Sequence, residues 1–144
     1  MKEPFIMLVD DEVPFVETLA KRLATRNIET IKAFSAEEGL ETLETNQNLD
    51  VIILDIKMPG MDGIEMLKII KKVSPLTEVI MLTGHATIEL GIKGMKLGAY
   101  DFLTKPCDIE ELVSKVEEAA KKKREHEEKI KDAERKELLL KYEP

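Results

Sequence analysis

The chain has 144 residues, of which 43% are hydrophobic, and this is enough for one domain with a core and a short appendage. Its net charge is −7, with the acidic excess before residue 119, which disfavours nucleic-acid binding and suits the capture of a divalent cation. No apolar run approaches the ~20 residues that span a bilayer, no signal peptide precedes the first strand, and the single cysteine excludes an internal disulfide, so we expect a cytoplasmic protein without a membrane segment.

Five apolar segments rich in β-prone residues alternate with segments of helical periodicity. The predicted strands are Phe5–Val9, Ile28–Phe34, Val51–Leu54, Val79–Leu82 and Tyr100–Leu103. The predicted helices are 13–26, a segment opened by a Ser35–Glu38 capping box, Ile64–Val73, Ala86–Leu97 and a segment opened by Asp108. Because strands that alternate with helices connect by right-handed crossovers, the pattern predicts an α/β fold with a doubly wound parallel sheet.

The last predicted helix is longer than such a fold requires, so we divide the chain into a domain at 1–120 and a charged helical extension at 121–144. Acidic residues recur four positions before lysines along it, and such pairs stabilise an exposed helix. Apolar residues also follow the spacing of a heptad seam, which Lys123, His126 and Glu137 interrupt. Two interpretations stay open: a solvated helix that frays toward its end, and a weak coiled coil or docking arm.

Polar side chains stand at the ends of four of the predicted strands. Asp10 and Asp11 follow the first strand, Asp55 follows the third, Thr83 follows the fourth and Lys105 lies just beyond the fifth. Burying a carboxylate at the end of a strand costs free energy unless an oppositely charged group lies next to it. Because ligands of open parallel sheets bind beyond the carboxyl ends of the strands, we expect the chemistry of this chain to be concentrated at that edge.

The motifs around these residues resemble those of the response-regulator receiver domains of bacterial two-component signalling. The resemblance covers about residues 4–120 and rests on Asp10-Asp11, Asp55 with Met58-Pro59-Gly60-Met61-Asp62-Gly63, Thr83-Gly84 and Lys105-Pro106. An acidic pair alone is a weak signal, but all of these elements in order at four strand ends are a specific one. The resemblance implies a flavodoxin-like, five-stranded sheet of order 2-1-3-4-5 and a cis bond before Pro106.

The resemblance also implies a metal-assisted phosphoacceptor. Asp11 and Asp55 would bind Mg²⁺ (or Mn²⁺) together with the backbone carbonyl of Lys57, while Asp10 would act mainly through water. Asp55 would be the nucleophile that takes a phosphoryl group from a sensor histidine kinase or a phosphotransfer protein. Lys105 would neutralise charge on the phosphoryl oxygens. Three carboxylates in one pocket repel one another, so a bound cation also makes physical sense.

Four residues carry the implied switch and its lifetime. Thr83 would donate its hydroxyl to a phosphoryl oxygen. Phe102, where the family more often has Tyr, would then rotate into the vacated space, a readout by packing alone. The alternative is that Phe102 is an ordinary core residue and does not switch. Lys57 and His85 occupy the positions that tune phosphoryl lifetime in the family. Lys57 would shield the phosphoryl group from water and His85 would orient water; the alternative is that both lie free in solvent.

Other functions fit the residues less well. A phosphatase with an Asp nucleophile needs a second acid two residues later to protonate its leaving group, and Lys57 stands there, so we do not expect an enzyme beyond self-phosphorylation and slow autodephosphorylation. A flavodoxin-like electron carrier needs a phosphate-binding loop where Asp10 and Asp11 would repel phosphate. An unphosphorylated scaffold or dimerisation module is the remaining alternative, against which the complete set of acceptor residues argues.

The later part of the chain bears on its output. The segment from Met81 to Pro106 resembles receivers of transcriptional activators that use the alternative sigma factor, in which a dimerising helix follows the receiver. The extension is therefore either the linker of a truncated regulator or the end of a stand-alone one. The finished helix end favours the stand-alone regulator. We expect an unidentified downstream protein partner, no direct contact with nucleic acid, and a homodimer as an open possibility.

Overall fold

The computed structural model describes residues 3–84 and 87–142, which form five strands and five helices in strict alternation. The strands are β1 (Phe5–Val9), β2 (Glu29–Ala33), β3 (Val51–Asp55), β4 (Glu78–Thr83) and β5 (Asp101–Thr104). The helices are α1 (Val13–Ala24), α2 (Ala36–Thr45), α3 (Gly63–Val73), α4 (Ile88–Lys96) and α5 (Ile109–Lys141). All strand pairs are parallel and the sheet order is β2-β1-β3-β4-β5, which confirms the predicted fold and topology.

Side-chain caps fix where three of the helices begin. Ser35 accepts a hydrogen bond from the backbone N–H of Glu38, Asp62 from that of Glu65, and Asp108 from that of Glu110. Each cap satisfies a backbone donor that the first helical turn leaves without an intrahelical partner. The predicted capping box at α2 is present in a shifted form, because the returning Glu38 carboxylate accepts from Phe34 N–H at 3.4 Å.

The sheet is buried on both faces, as the apolar strands predict. One core cluster lies between the sheet and helices α1 and α5, and a second lies between the sheet and helices α2, α3 and α4. Every residue of β3 is buried, as is expected for a central parallel strand covered on both sides. The two clusters pack the sheet between its helices, so the strand ends are held rigidly relative to one another.

Helix α5 is anchored to the amino-terminal edge of the sheet by buried ion pairs. Asp50, only 3% exposed, accepts hydrogen bonds from Phe5 N–H at 2.9 Å and from Arg124 Nη2 at 2.8 Å. Lys123, only 4% exposed, places Nζ 3.3 Å from the other Asp50 oxygen and 3.1 Å from Glu127. Lys123, which interrupts the predicted heptad seam, is therefore a buried contact that ties the start of the extension to the domain.

A second buried carboxylate lies at the same edge. Glu78, at the start of β4, is 6% exposed and lies 3.2 Å from the ammonium of Lys71 and 3.2 Å from that of Lys122. Helix α5 continues past its contact with Glu78 without a break, and residues 128–142 are exposed along their whole length.

Within the described ranges 3–84 and 87–142, no helix combines the length and apolar character needed to cross a membrane.

Candidate functional site

The carboxyl ends of the strands bring the predicted acidic residues together. Asp10 follows β1, where its N–H donates to Ala33 O at 3.1 Å, and Asp55 is the last residue of β3. Carboxylate oxygens of Asp10, Asp11 and Asp55 all lie within 4.8 Å of one another. Asp10 and Asp55 are buried while Asp11 is exposed, so the cluster is accessible from solvent on one side.

Lys105 extends from the end of β5 into this acidic cluster. Its Nζ lies 2.6 Å from Asp10 Oδ2, 3.6 Å from Asp55 Oδ1 and 3.1 Å from Glu12 Oε1. The same ammonium lies 4.3 Å from the centroid of the Phe15 ring, within the range of a cation–π contact. The Lys105–Pro106 peptide bond is cis, as the resemblance implies.

Two of these neighbours of Lys105 were not identified from the sequence. Glu12 reaches Lys105 and also donates its backbone N–H to Asp10 Oδ1 at 2.9 Å, which orients the Asp10 carboxylate. Phe15 lies on α1 and supplies the apolar wall beside the ammonium. The available signal was their position at the start of the helix that directly follows the acidic pair, which faces the same edge of the sheet.

The electrostatics of the cluster leave it short of positive charge. Burial, reinforced by the neighbouring carboxylate of Asp10, raises the pKa of Asp55 from 3.8 to about 6, although Lys105 acts in the opposite direction. Burial alone would lower the pKa of the Lys105 ammonium, but its contacts with Asp10, Asp55 and Glu12 outweigh that effect and raise it. Lys105 therefore stays protonated, yet it does not compensate all the carboxylates around it.

The donor set fits a hard divalent cation. Such ions take oxygen ligands, and magnesium is commonly bound by one or two carboxylates together with water. Asp55 and Asp11 offer such oxygens on the solvent-accessible side of the cluster. Lys57 is exposed two residues beyond Asp55, and its side chain lines an open pocket of about 500 Å³ between the β3–α3 loop and Leu90.

Thr83 ends β4 at the same edge, but its hydroxyl is bonded to the loop that follows. Thr83 Oγ1 lies 3.0 Å from Gly84 O and also contacts Thr87 Oγ1, both within hydrogen-bond range. Its backbone carbonyl accepts from Lys105 N–H at 2.8 Å, so the strand end itself is held in place. His85, a predicted lifetime residue, lies outside the described residues.

Phe102 lies on β5 beneath α4. It is partly buried against the core cluster on that side of the sheet. A Cβ added at Gly91 would lie 2.8 Å from the Phe102 ring, so the glycine allows α4 to approach the ring closely. A larger residue at position 91 would therefore have to displace either the Phe102 ring or α4.

The chain is similar to known signalling proteins over most of its length. The response regulator receiver domain family matches residues 6–117. The chain is 38% identical over 121 residues to the DNA-binding transcriptional regulator NtrC of Escherichia coli (strain K12). This match covers 83% of this chain and 25% of that protein. It is 34% identical over 118 residues to the transcriptional regulatory protein GlrR of the same strain, covering 82% of this chain and 26% of GlrR.

Solved structures give the same picture. The receiver domain protein from Clostridium thermocellum superposes with a TM-score of 0.81 at 35% identity, covering 84% of this chain and 97% of that one. NtrX from Brucella abortus superposes with a TM-score of 0.82 at 31% identity, covering 92% of this chain and 30% of that one. The chain thus spans about a quarter of the length of the curated relatives named above.

Proposed function

We propose, since this chain belongs to the response regulator receiver domain family of two-component signalling, that it accepts a phosphoryl group on Asp55 from a histidine kinase or a phosphotransfer protein. The observation that carries the proposal is the cluster of three carboxylates with one lysine ammonium at the carboxyl edge of the sheet. Family membership supports the reaction class, and the geometry supports the choice of Asp55, which ends the central strand β3 beside Lys105.

The transfer itself requires little beyond positioning. A carboxylate oxygen of Asp55 attacks phosphorus, the P–N bond to the donor imidazole breaks, and its electron pair stays on the imidazole nitrogen, which then takes a proton from water. The product is a mixed carboxylic–phosphoric anhydride on Asp55. Lys105 already lies 3.6 Å from Asp55 Oδ1, a position from which it neutralises charge on the transferred group. With a pKa of about 6, Asp55 is mostly ionised at neutral pH and so available to attack.

The same cluster would hold Mg²⁺ or Mn²⁺. Asp11 and Asp55 would be direct ligands with the backbone carbonyl of Lys57, and Asp10 would act through water, as in the family. When bound, the cation supplies positive charge next to the phosphoryl oxygens. The uncompensated carboxylates and the raised pKa of Asp55 support such a ligand, because each added positive charge lowers the free energy of the ionised cluster.

The response to phosphorylation would start at Thr83 and end at the α4–β5 surface. Thr83 would turn its hydroxyl to a phosphoryl oxygen, and Phe102 would rotate into the space that Thr83 vacates, which makes the readout one of packing alone. Lys57 and His85 would set the lifetime of the phosphoryl group, by shielding it and by orienting water respectively. The altered surface would bind a downstream protein or a second copy of the chain. The relative NtrC is named as DNA-binding, but we propose no contact with nucleic acid for this segment.

Phosphoryl uptake is tested by intact-mass spectrometry after incubation with acetyl phosphate and Mg²⁺. We expect the mass of one phosphoryl group to appear on the parent, to be removed by hydroxylamine, and to be lost with Mg²⁺ chelation. Asp55→Asn should take up none. Asp62→Asn is the matched control, because it removes a carboxylate from the same loop while Asn still caps α3. A parent of unchanged mass, or uptake by Asp55→Asn, would show that the proposal is wrong.

A further inference from the structure

We propose that Thr87 is a positioning residue that holds the Thr83 hydroxyl on the loop after β4 until a phosphoryl group competes for it. This inference rests on the proposed function, because it assigns the ground-state partner of the residue that would contact the phosphoryl group. Both threonines are buried, with Thr83 1% exposed and Thr87 7% exposed. Water therefore does not replace either hydroxyl partner in the unphosphorylated protein.

The hydrogen bonds form a small closed set. Thr83 Oγ1 contacts Gly84 O at 3.0 Å, Thr87 Oγ1 contacts the same carbonyl at 3.1 Å, and the two hydroxyls contact each other. Two hydroxyls supply only two hydrogens for these three contacts. When the hydroxyls are bonded to each other, one threonine donates to Gly84 O and the other donates to its fellow hydroxyl. In either arrangement, the bond between the hydroxyls keeps Thr83 turned toward the loop.

The orientation of Thr87 supports this role independently. Thr87 is the residue that precedes the first turn of α4, where threonine usually caps the helix with its hydroxyl. In the part of the chain that the structure describes, its side chain makes no such cap bond, whereas the corresponding residues of α2, α3 and α5 all cap their helices. The Thr87 hydroxyl is thus turned away from its own helix and toward Thr83.

Movement of the Thr83 hydroxyl to a phosphoryl oxygen requires only a side-chain rotation, because Lys105 N–H holds the Thr83 carbonyl at 2.8 Å. The rotation breaks the neutral bond to Thr87 and replaces it with a bond to a charged acceptor, which is stronger. The strength of the Thr83–Thr87 bond therefore sets what fraction of the unphosphorylated protein has Thr83 available. Without the Thr87 hydroxyl, Thr83 keeps its contact with Gly84 O but loses one neutral hydrogen bond, so that fraction should rise by about five-fold.

The test measures initial phosphorylation rates with acetyl phosphate and Mg²⁺ by intact mass. Thr87→Val, which removes the hydroxyl and keeps a branched side chain, should accelerate uptake by about five-fold. Thr87→Ser keeps the hydroxyl and should stay near the parent rate. In a Thr83→Ala background the hydroxyl pair is already absent, so adding Thr87→Val should leave the rate unchanged. Urea unfolding of each variant establishes that it is folded.

The double-mutant comparison separates the outcomes. Equal effects of Thr87→Val with and without the Thr83 hydroxyl would mean that Thr87 acts through packing alone, which overturns the inference. A parent that phosphorylates, together with a Thr87→Val variant of the same rate, also overturns the inference and leaves the proposed function standing. A parent that takes up no phosphoryl group overturns both. Acceleration that is confined to chains with Thr83 supports the inference.

Discussion

Ionised Asp55 should destabilise the protein in the absence of a divalent cation, and Asp55→Asn should therefore raise the free energy of unfolding. The physical reason is that burial and the Asp10 carboxylate raise the pKa of Asp55 to about 6, so the folded state binds its proton more tightly than the unfolded chain does. Asn resembles the protonated acid in shape and charge, and it does not ionise.

The magnitude follows from the shift. Moving the pKa from 3.8 to about 6 corresponds to about 3 kcal/mol, at 1.36 kcal/mol per unit, as an upper value for the cost of the ionised form at pH 8. The sign is fixed by linkage, because the folded state holds more protons than the unfolded state between the two pKa values. The contribution of Asp55 to stability therefore falls as pH rises from about 4 to about 6 and is constant above that.

The assay is urea unfolding of the parent and Asp55→Asn in EDTA at a series of pH values from about 3 to 8. The difference between the two curves isolates Asp55, because the other titrating groups are shared. We expect little difference at the acid end and a more stable Asp55→Asn at pH 7 and above. Saturating Mg²⁺ should stabilise the parent more than the variant. An Asp55→Asn protein that is less stable than the parent at pH 8 in EDTA would refute the reasoning.

Two further predictions concern stability. Asp50→Asn should cost about 3–5 kcal/mol in urea unfolding, because it removes the buried carboxylate beside the Lys123 ammonium and leaves the more exposed Glu127. Asp132→Asn, on the exposed part of α5, should change the free energy of unfolding by about 1 kcal/mol or less. Equal changes in the free energy of unfolding for the two variants would mean that the buried Asp50–Lys123 pair contributes no more than an exposed pair. Gly63→Ala should strongly destabilise the fold, because the added Cβ would lie 2.4 Å from a β3 carbonyl oxygen. The control is Gly84→Ala, whose added Cβ would meet nothing within 4 Å. Similar urea-unfolding midpoints for the two variants would contradict this prediction.

The acidic edge could be predicted from the sequence because it depends on local signals. Apolar runs located the strands, and four of the five runs were followed by a charged or hydroxyl side chain. In a parallel sheet all carboxyl ends lie at one edge, so Asp10, Asp55 and Lys105 had to converge whatever the details of packing. The order of the strands, in contrast, came from the resemblance, since alternation alone fits several doubly wound orders.

The contacts that were missed depend on how the folded chain brings side chains together. Lys123 interrupts an apolar seam when the helix is read alone, and only the folded chain brings it to Asp50, 73 residues away. Thr87 was missed for another reason, because the predicted helix Ala86–Leu97 includes it, whereas α4 begins at Ile88 in the structure. Its hydroxyl contacts that of Thr83, four residues earlier at the end of β4, and makes no cap bond to α4. Local patterns give the residue its location, and the tertiary fold gives it its partner.

The two edges of the sheet treat buried carboxylates in opposite ways, and this difference argues for where the chain binds a cation. At the amino-terminal edge, Asp50 and Glu78 each have two cationic side chains close by in the described structure, supplied by α3 and α5. At the carboxyl edge, Lys105 is shared among several acids, and the pKa of Asp55 remains raised. A chain that neutralises buried acids so fully at one edge could do so at the other. Its incomplete neutralisation around Asp55 is what a site for an external divalent cation and an incoming phosphoryl group requires.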